Sequence, residues 1–284
     1  MRFQDLIFTA ALGTALAMCG VSTAGAQIVD FGKYPDFSGQ WKRPPGAGIQ
    51  WDQTKPFGRR QEAPLTPEYQ ARYEVNLADQ AQGGQGDDTT GQCIPHGMPR
   101  VMTVVYPMEL IIMPKTTYIL TDYTIPRRVF TDGRSWPKEV EPTFNGLSIG
   151  SWVEPDANGR YSTLEVETRG FKSPRTFEAS GIRLHDDGQS IIKERIHLDK
   201  ADKDVLLDEI TVIDNALTRP WTITKKYIRE TSPNIIWHFN DCAENNRQVT
   251  IASENYMLSA DGLLMPVKKN QRPPDLRYFG AATR

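Results

Sequence analysis

The chain has 284 residues, 39% of them hydrophobic and 10% aromatic, and a formal net charge of −2. That near-balance argues against a dedicated nucleic-acid binder, which carries a basic surplus. The length suffices for a sizeable core, and 20 prolines with 22 glycines fit many short strands joined by turns.

Residues 1–26 read as a cleavable signal peptide. Arg2 supplies a positive start, residues 6–21 form an apolar run, and Ala24-Gly25-Ala26 places small residues where signal peptidase reads. The run is short for a membrane helix, which needs about 20 apolar residues. Two alternatives are an uncleaved anchor and a lipoprotein processed at Cys19, where Met18 is a poor preceding residue. The expected location is the periplasm or the medium, with no membrane span in the mature chain. Loss of Arg2 and Asp5 leaves the net charge unchanged.

Residues 27–91 read as an irregular segment with one helix. Thr66 can cap it, Pro67 suits its first position, and Tyr69, Tyr73 and Leu77 recur at helical spacing, so the helix is expected to end near Ala81. The stretch 82–91 is Gly-rich and acidic and reads as a mobile loop.

Residues 92–263 read as an antiparallel β domain. Candidate strands lie at 101–106, 109–113, 117–121, 127–131, 148–153, 163–169, 190–198, 205–213, 221–229 and 235–239, with a short piece at 250–252. Asp132-Gly133, Asn158-Gly159, Asp187-Gly188 and Asp214-Asn215 punctuate them. No helical pattern sits between the strands, so a parallel βαβ sheet is excluded in favour of an antiparallel barrel or sandwich. Residues 264–284, with Pro266 and Pro273-Pro274, read as an extended tail.

Cys93 and Cys242 are the two cysteines left after the signal peptide. In an oxidising compartment they read as a disulfide closing a long loop, worth about 4–5 kcal/mol by chain entropy. A cysteine nucleophile and a zinc site are the alternatives; no C-x-x-C spacing supports the second. There is no G-x-S-x-G elbow, Walker A loop or H-E-x-x-H. Asp156-Ala157-Asn158-Gly159 reads as a hairpin turn ahead of a calcium loop. No metal or cofactor is expected.

Among the four histidines, His185 sits at a strand entrance beside Asp186 and Asp187 and is the leading acid/base candidate, with Asp186 or Asp132 orienting it. His197 shares the polar face of its strand with Arg195 and reads as solvated. His238 reads as packed. His96 and Arg100 lie in a proline-stiffened loop beside Cys93 that suits a site wall. In 190–198, Glu194 falls on the apolar face with Ile192 and Ile196, and a buried carboxylate needs a partner. Arg128, alternating with Phe130, is the expected partner, as a staple or a ligand clamp. Arg127, Arg128 and Arg134 around one turn could hold a carboxylate or phenolate.

Pro35-Asp36-Phe37-Ser38-Gly39-Gln40-Trp41, Leu65-Thr66-Pro67-Glu68-Tyr69, Gly97-Met98-Pro99-Arg100, Thr131-Asp132-Gly133-Arg134, Ser148-Ile149-Gly150-Ser151-Trp152, Leu164-Glu165-Val166-Glu167-Thr168 and Thr218-Arg219-Pro220-Trp221-Thr222 together resemble a group of exported Gram-negative bacterial proteins usually described as hypothetical. The resemblance spans most of the mature chain. It implies a lipocalin-like β architecture and no particular reaction. Where that group has Pro-His-Ser/Thr-Asp before a Glu-Arg strand, this chain has Leu184-His185-Asp186-Asp187 before Glu194-Arg195, so the histidine is matched and the hydroxyl is not. The functional expectation is a cavity for a small apolar or aromatic molecule, with a cofactor-free lyase, isomerase or hydrolase step. The alternatives are a non-catalytic binding protein and an envelope-interaction protein.

Overall fold

Period-two alternation from Met108 onward closes into a nine-stranded barrel. The computed structural model describes residues 30–121, 125–234, 237, 242, 247–252, 254–259 and 261–274. Residues 1–26, expected as a signal peptide and including Cys19, lie outside the described residues, as do His238, the candidate strand at 235–239 except Trp237, and residues 275–284. Strands β1 (Gln40–Lys42), β2 (Met108–Met113), β3 (Thr116–Thr121), β4 (Arg127–Phe130), β5 (Leu147–Val153), β6 (Thr163–Arg169), β7 (Ile191–Leu198), β8 (Val205–Ile213) and β9 (Trp221–Arg229) pair in chain order. β1 closes the barrel against both β2 and β9.

Every pairing in the barrel is antiparallel except β4 with β5, which is parallel. A parallel pair cannot be joined by a tight hairpin, so the chain must make a long return. Residues 131–146 make it, and they become one wall of the site described below. Most of the other barrel connections are shorter, while residues 43–107 between β1 and β2 and residues 170–190 between β6 and β7 are longer. At 156–160, the Asp156 carboxylate accepts from the backbone N–H of Asn158 and Arg160, which ties the hairpin without a cation.

Alternation fixes what faces inward. Leu206, Asp208, Ile210 and Val212 of β8 lie opposite Tyr227, Lys225, Ile223 and Trp221 of β9, and all are buried. Ile192, Glu194 and Ile196 of β7 continue the lining. The lumen is filled by the chain itself. Residues 101–106, expected as a strand, instead hold a buried 3-10 turn, Arg100–Thr103. Met102 sits within reach of two inward side chains: Tyr227 Oη donates to its carbonyl at 2.6 Å, and Arg127 Nη1 lies 3.8 Å from its Sδ. Trp51, Phe177 and Trp221 pack as tilted rings in the same core.

The one α-helix, α1 (Pro67–Ala81), has the expected bounds, with Thr66 Oγ1 accepting from the Tyr69 N–H at 3.4 Å. It is fastened by Tyr73 to the Ser180 hydroxyl and by Asn76 to the Ser180 carbonyl. The stretch 82–91 is anchored through Asp79 and Asn76, which accept from the N–H groups of Gly86 and Asp87. A small sheet of β10 (Gln248–Ile251), β11 (Glu254–Leu258) and β12 (Leu264–Pro266) follows; β12 begins where the sequence suggested only an extended tail. No helix among the described residues is long and apolar enough to cross a membrane.

Candidate functional site

Outward-facing residues of β2, β3 and β4 form a largely apolar patch on the outer barrel wall. Ile111, Tyr118 and Arg128 are directly opposite one another across the three strands, with Leu120 and Phe130 on the same outer face. Over this face lies a cavity of about 990 Å³. Ile94, Pro95 and His96 form a second wall, and Pro142, Phe144 and Leu147, from the return between β4 and β5 and the start of β5, form a third. Ile125 stands at the rim, 82% exposed.

The two loop walls are locked together. The Met98 N–H donates to the Phe144 carbonyl at 3.0 Å. Gly97 adopts a positive φ of 62°, and a Cβ there would come within 2.3 Å of that carbonyl, so only glycine permits the contact. The Cys93–Cys242 disulfide borders the cavity, with a Cα–Cα separation of 5.5 Å.

His96 is held by a buried polar chain. Arg100 Nη1 donates to Asp88 Oδ1 at 2.8 Å, and Nη2 donates to Thr90 Oγ1 at 3.1 Å. The Thr90 hydroxyl gives its own hydrogen to Asp88, which assigns the proton of the neighbouring His96 Nε2, at 3.1 Å, to the histidine. Burial, then the charge of Arg100, pushes His96 down to about 3, so the imidazole is neutral at ordinary pH. Burial raises the Asp88 carboxyl, but Arg100 outweighs it and the net shift is downward.

Among the described lining residues three are cations: Arg127, Arg128 and Lys172. Arg127 is spent inward. It donates through Nη1 to Glu194 Oε1 at 2.7 Å and through Nη2 to Glu194 Oε2, and it also reaches Thr168 and Ser148. The expected partner of Glu194 was Arg128; the structure corrects this by one residue. β4 turns Arg127 and Val129 inward and leaves Arg128 outside, over the Tyr118 ring at 5.9 Å. Lys172 stands over the Phe144 ring at 5.6 Å. Neither Arg128 nor Lys172 is ion-paired to a described residue, and no Asp or Glu is among the described lining residues.

The barrel centre holds a second group of charges, separate from this cavity. Beside the Arg127–Glu194 pair, Asp208 is fully buried with neither carboxylate oxygen hydrogen-bonded. Burial, then the Glu194 charge, raises it well above the usual carboxylate range. Opposite it, Lys225 donates to the Gln50 carbonyl at 3.0 Å and lies 4.8 Å from the Trp51 ring. Burial pushes Lys225 down to about 7, and Glu178 up to about 7. The Lys225 hydrogen bond fastens the loop at Gln50 to the barrel.

His185, the leading acid/base candidate, does not line the cavity. Its side chain is 36% exposed, its ring tilts against Tyr69, and Nδ1 lies 2.9 Å from Asp187 Oδ2. The carboxylate beside it is therefore Asp187. Asp186 pairs with Arg183 at 2.9 Å, and Asp132 with Arg134 at 2.6 Å, where that hydrogen bond draws the Asp132 carboxyl down to about 2. His197 lies on the outer face, 3.5 Å from Glu209. Of the expected site residues, Arg128, His96 and the disulfide meet at one cavity, with Arg100 immediately behind His96.

Set against known families, curated proteins and solved structures, the chain matches no family model, no curated protein and no solved structure. The site must therefore be read from its own chemistry. Sequence reasoning missed Tyr118, Phe144 and Lys172. Tyr118 was visible as an aromatic on the outer face of a strand; Phe144 and Lys172 lie in irregular segments with no pattern to mark them.

Proposed function

We propose that this is an exported, periplasmic or secreted, binding protein for one small, mainly apolar molecule, held in the cavity over β2, β3 and β4. The observation that carries the proposal is the roughly 990 Å³ of space over apolar and aromatic residues. That size falls in the range of small-molecule sites, which are lined mostly by such residues with a few polar groups to orient the ligand. An outer strand face that water alone covered would be polar.

Binding is favoured over turnover by the titratable groups at hand. The His96 imidazole, held near 3, is a weak base at neutral pH. The two cysteines are joined to each other and cannot act as nucleophiles. No carboxylate is among the described lining residues. The disulfide accords with export to an oxidising compartment.

The test is titration with the neutral fluorophore N-phenyl-1-naphthylamine. Wild-type protein is expected to bind one saturable equivalent. Leu120→Trp, which fills the cavity from its strand wall, is expected to weaken binding at least tenfold without lowering the melting temperature. No saturable binding to wild type, or equal binding to the variant, overturns the proposal.

A further inference from the structure

We infer that the ligand of this cavity is an aromatic carboxylic acid, its acid group gripped at the mouth by Arg128 and Lys172. The inference rests on the binding proposal above and adds the ligand's charge and ring character to it.

The argument is one of unspent charge. Arginines elsewhere on the outer barrel wall are matched to carboxylates: Arg169 to Glu167, Arg195 to Glu154 and Glu165, and Arg229 to Asp204. Arg134, at the turn after β4, is matched to Asp132. Arg128 sits on the same wall with no such partner among the described residues, and Lys172 is equally without one there. The chain as a whole carries more acids than bases, 35 against 33. A patch with no acid among its described lining residues and two cations unpaired there is therefore a local departure that an anion would complete. A guanidinium also matches a carboxylate geometrically, through two parallel N–H donors.

The ring character follows from what lies beneath the cations. Each of the two stands over an aromatic ring, Arg128 over Tyr118 and Lys172 over Phe144. Phe130, Pro126 and Pro142 join them in the lining, with the Arg134 guanidinium over the Phe130 ring at 3.7 Å. A planar hydrophobic ring fits offset or edge-on against such surfaces. Its carboxylate then reaches the rim, where Arg128 and Lys172 are exposed. His96, neutral, adds no opposing charge.

The test uses a matched pair, 2-naphthoate and the uncharged 2-naphthamide, measured by calorimetry beside N-phenyl-1-naphthylamine. Wild-type protein is expected to bind the acid at least tenfold more tightly than the amide, with the preference shrinking as salt rises. In the double variant R128Q/K172Q the preference is expected to fall to about one, while the neutral fluorophore still binds saturably. Equal binding of acid and amide to wild type, with the fluorophore bound, overturns the acid assignment and leaves the cavity proposal standing. A preference that survives in the double variant overturns the role of the two cations. Failure of all three compounds to bind overturns both proposals.

Discussion

Removing the carboxylate of Glu194 should unfold the barrel centre more than any change on its surface. The Glu194 side chain is fully buried and that of Arg127 is 3% exposed. Two of the guanidinium's contacts go to Glu194, and the rest go to the hydroxyls of Ser148 and Thr168 and to the Met102 sulfur. In Glu194→Ala the hydroxyls remain but the guanidinium loses its two-point carboxylate partner in a water-excluded core. Breaking a buried pair from one side costs about 3–5 kcal/mol. For a chain of this size each kcal/mol moves the melting temperature by about 2–4 °C, so a fall of about 6–20 °C is expected. Arg127→Ala should cost a similar amount. Arg127→Ala with Glu194→Gln should be more stable than Arg127→Ala alone, because the stranded charge is gone. Arg128→Ala, one residue along but exposed and unpaired, should stay within about 0.5 kcal/mol of wild type. Thermal and urea melts of the five proteins decide the matter. A loss below about 1 kcal/mol for Glu194→Ala, or equal losses for Arg127→Ala and Arg128→Ala, would refute the inward register of β4.

Three further outcomes are expected. His96 has a folded value near 3 against an ordinary value of 6.5, so between those limits the unfolded chain holds a proton that the native chain lacks. Stability therefore falls on acidification through this window, by about 1.4 kcal/mol per pH unit from this group. Glu178, raised to about 7, acts in the opposite sense between 4.5 and 7, so the histidine's share is read as the difference between wild type and His96→Gln; identical pH slopes would contradict it. Replacing Cys93 and Cys242 together with serine should cost up to about 4–5 kcal/mol by denaturant melts, since the bridge spans a sequence separation of 149. The same variant should bind N-phenyl-1-naphthylamine severalfold more weakly, and unchanged affinity would remove the bridge from the site wall. His185→Ala should leave binding unchanged, because His185 is outside the cavity; a tenfold loss would return it to the site.

The helix and most barrel strands were legible because local chemistry and burial agree there. Thr66, Pro67 and the Tyr69–Tyr73–Leu77 spacing mark α1, and alternation in residues 205–213 and 221–229 marks β8 and β9. The same alternation places Asp208 and Lys225 among inward apolar residues, a signal of the charged barrel centre as plain as that of Glu194. Residues 101–106 misled because a short apolar run reads alike for a strand and a wholly buried turn. The one-residue error at Arg128 has a related cause: four residues with two adjacent arginines give alternation no apolar majority to choose the inward face. The cavity was not legible as a whole. Its walls come from a strand face, the loop before β2 and the return forced by a parallel pairing, and only the closed barrel brings them together.

The location of the ligand is the claim on which the account turns, since a barrel invites the assumption that its lumen is the binding site. Crystals of the protein grown with 6-bromo-2-naphthoate would settle it through the bromine's anomalous signal. The account predicts one bromine peak against Tyr118, Phe130 and Phe144, outside the barrel wall, with the carboxylate bonded to Arg128 or Lys172. A peak within the barrel beside Lys225 and Trp51 would contradict it.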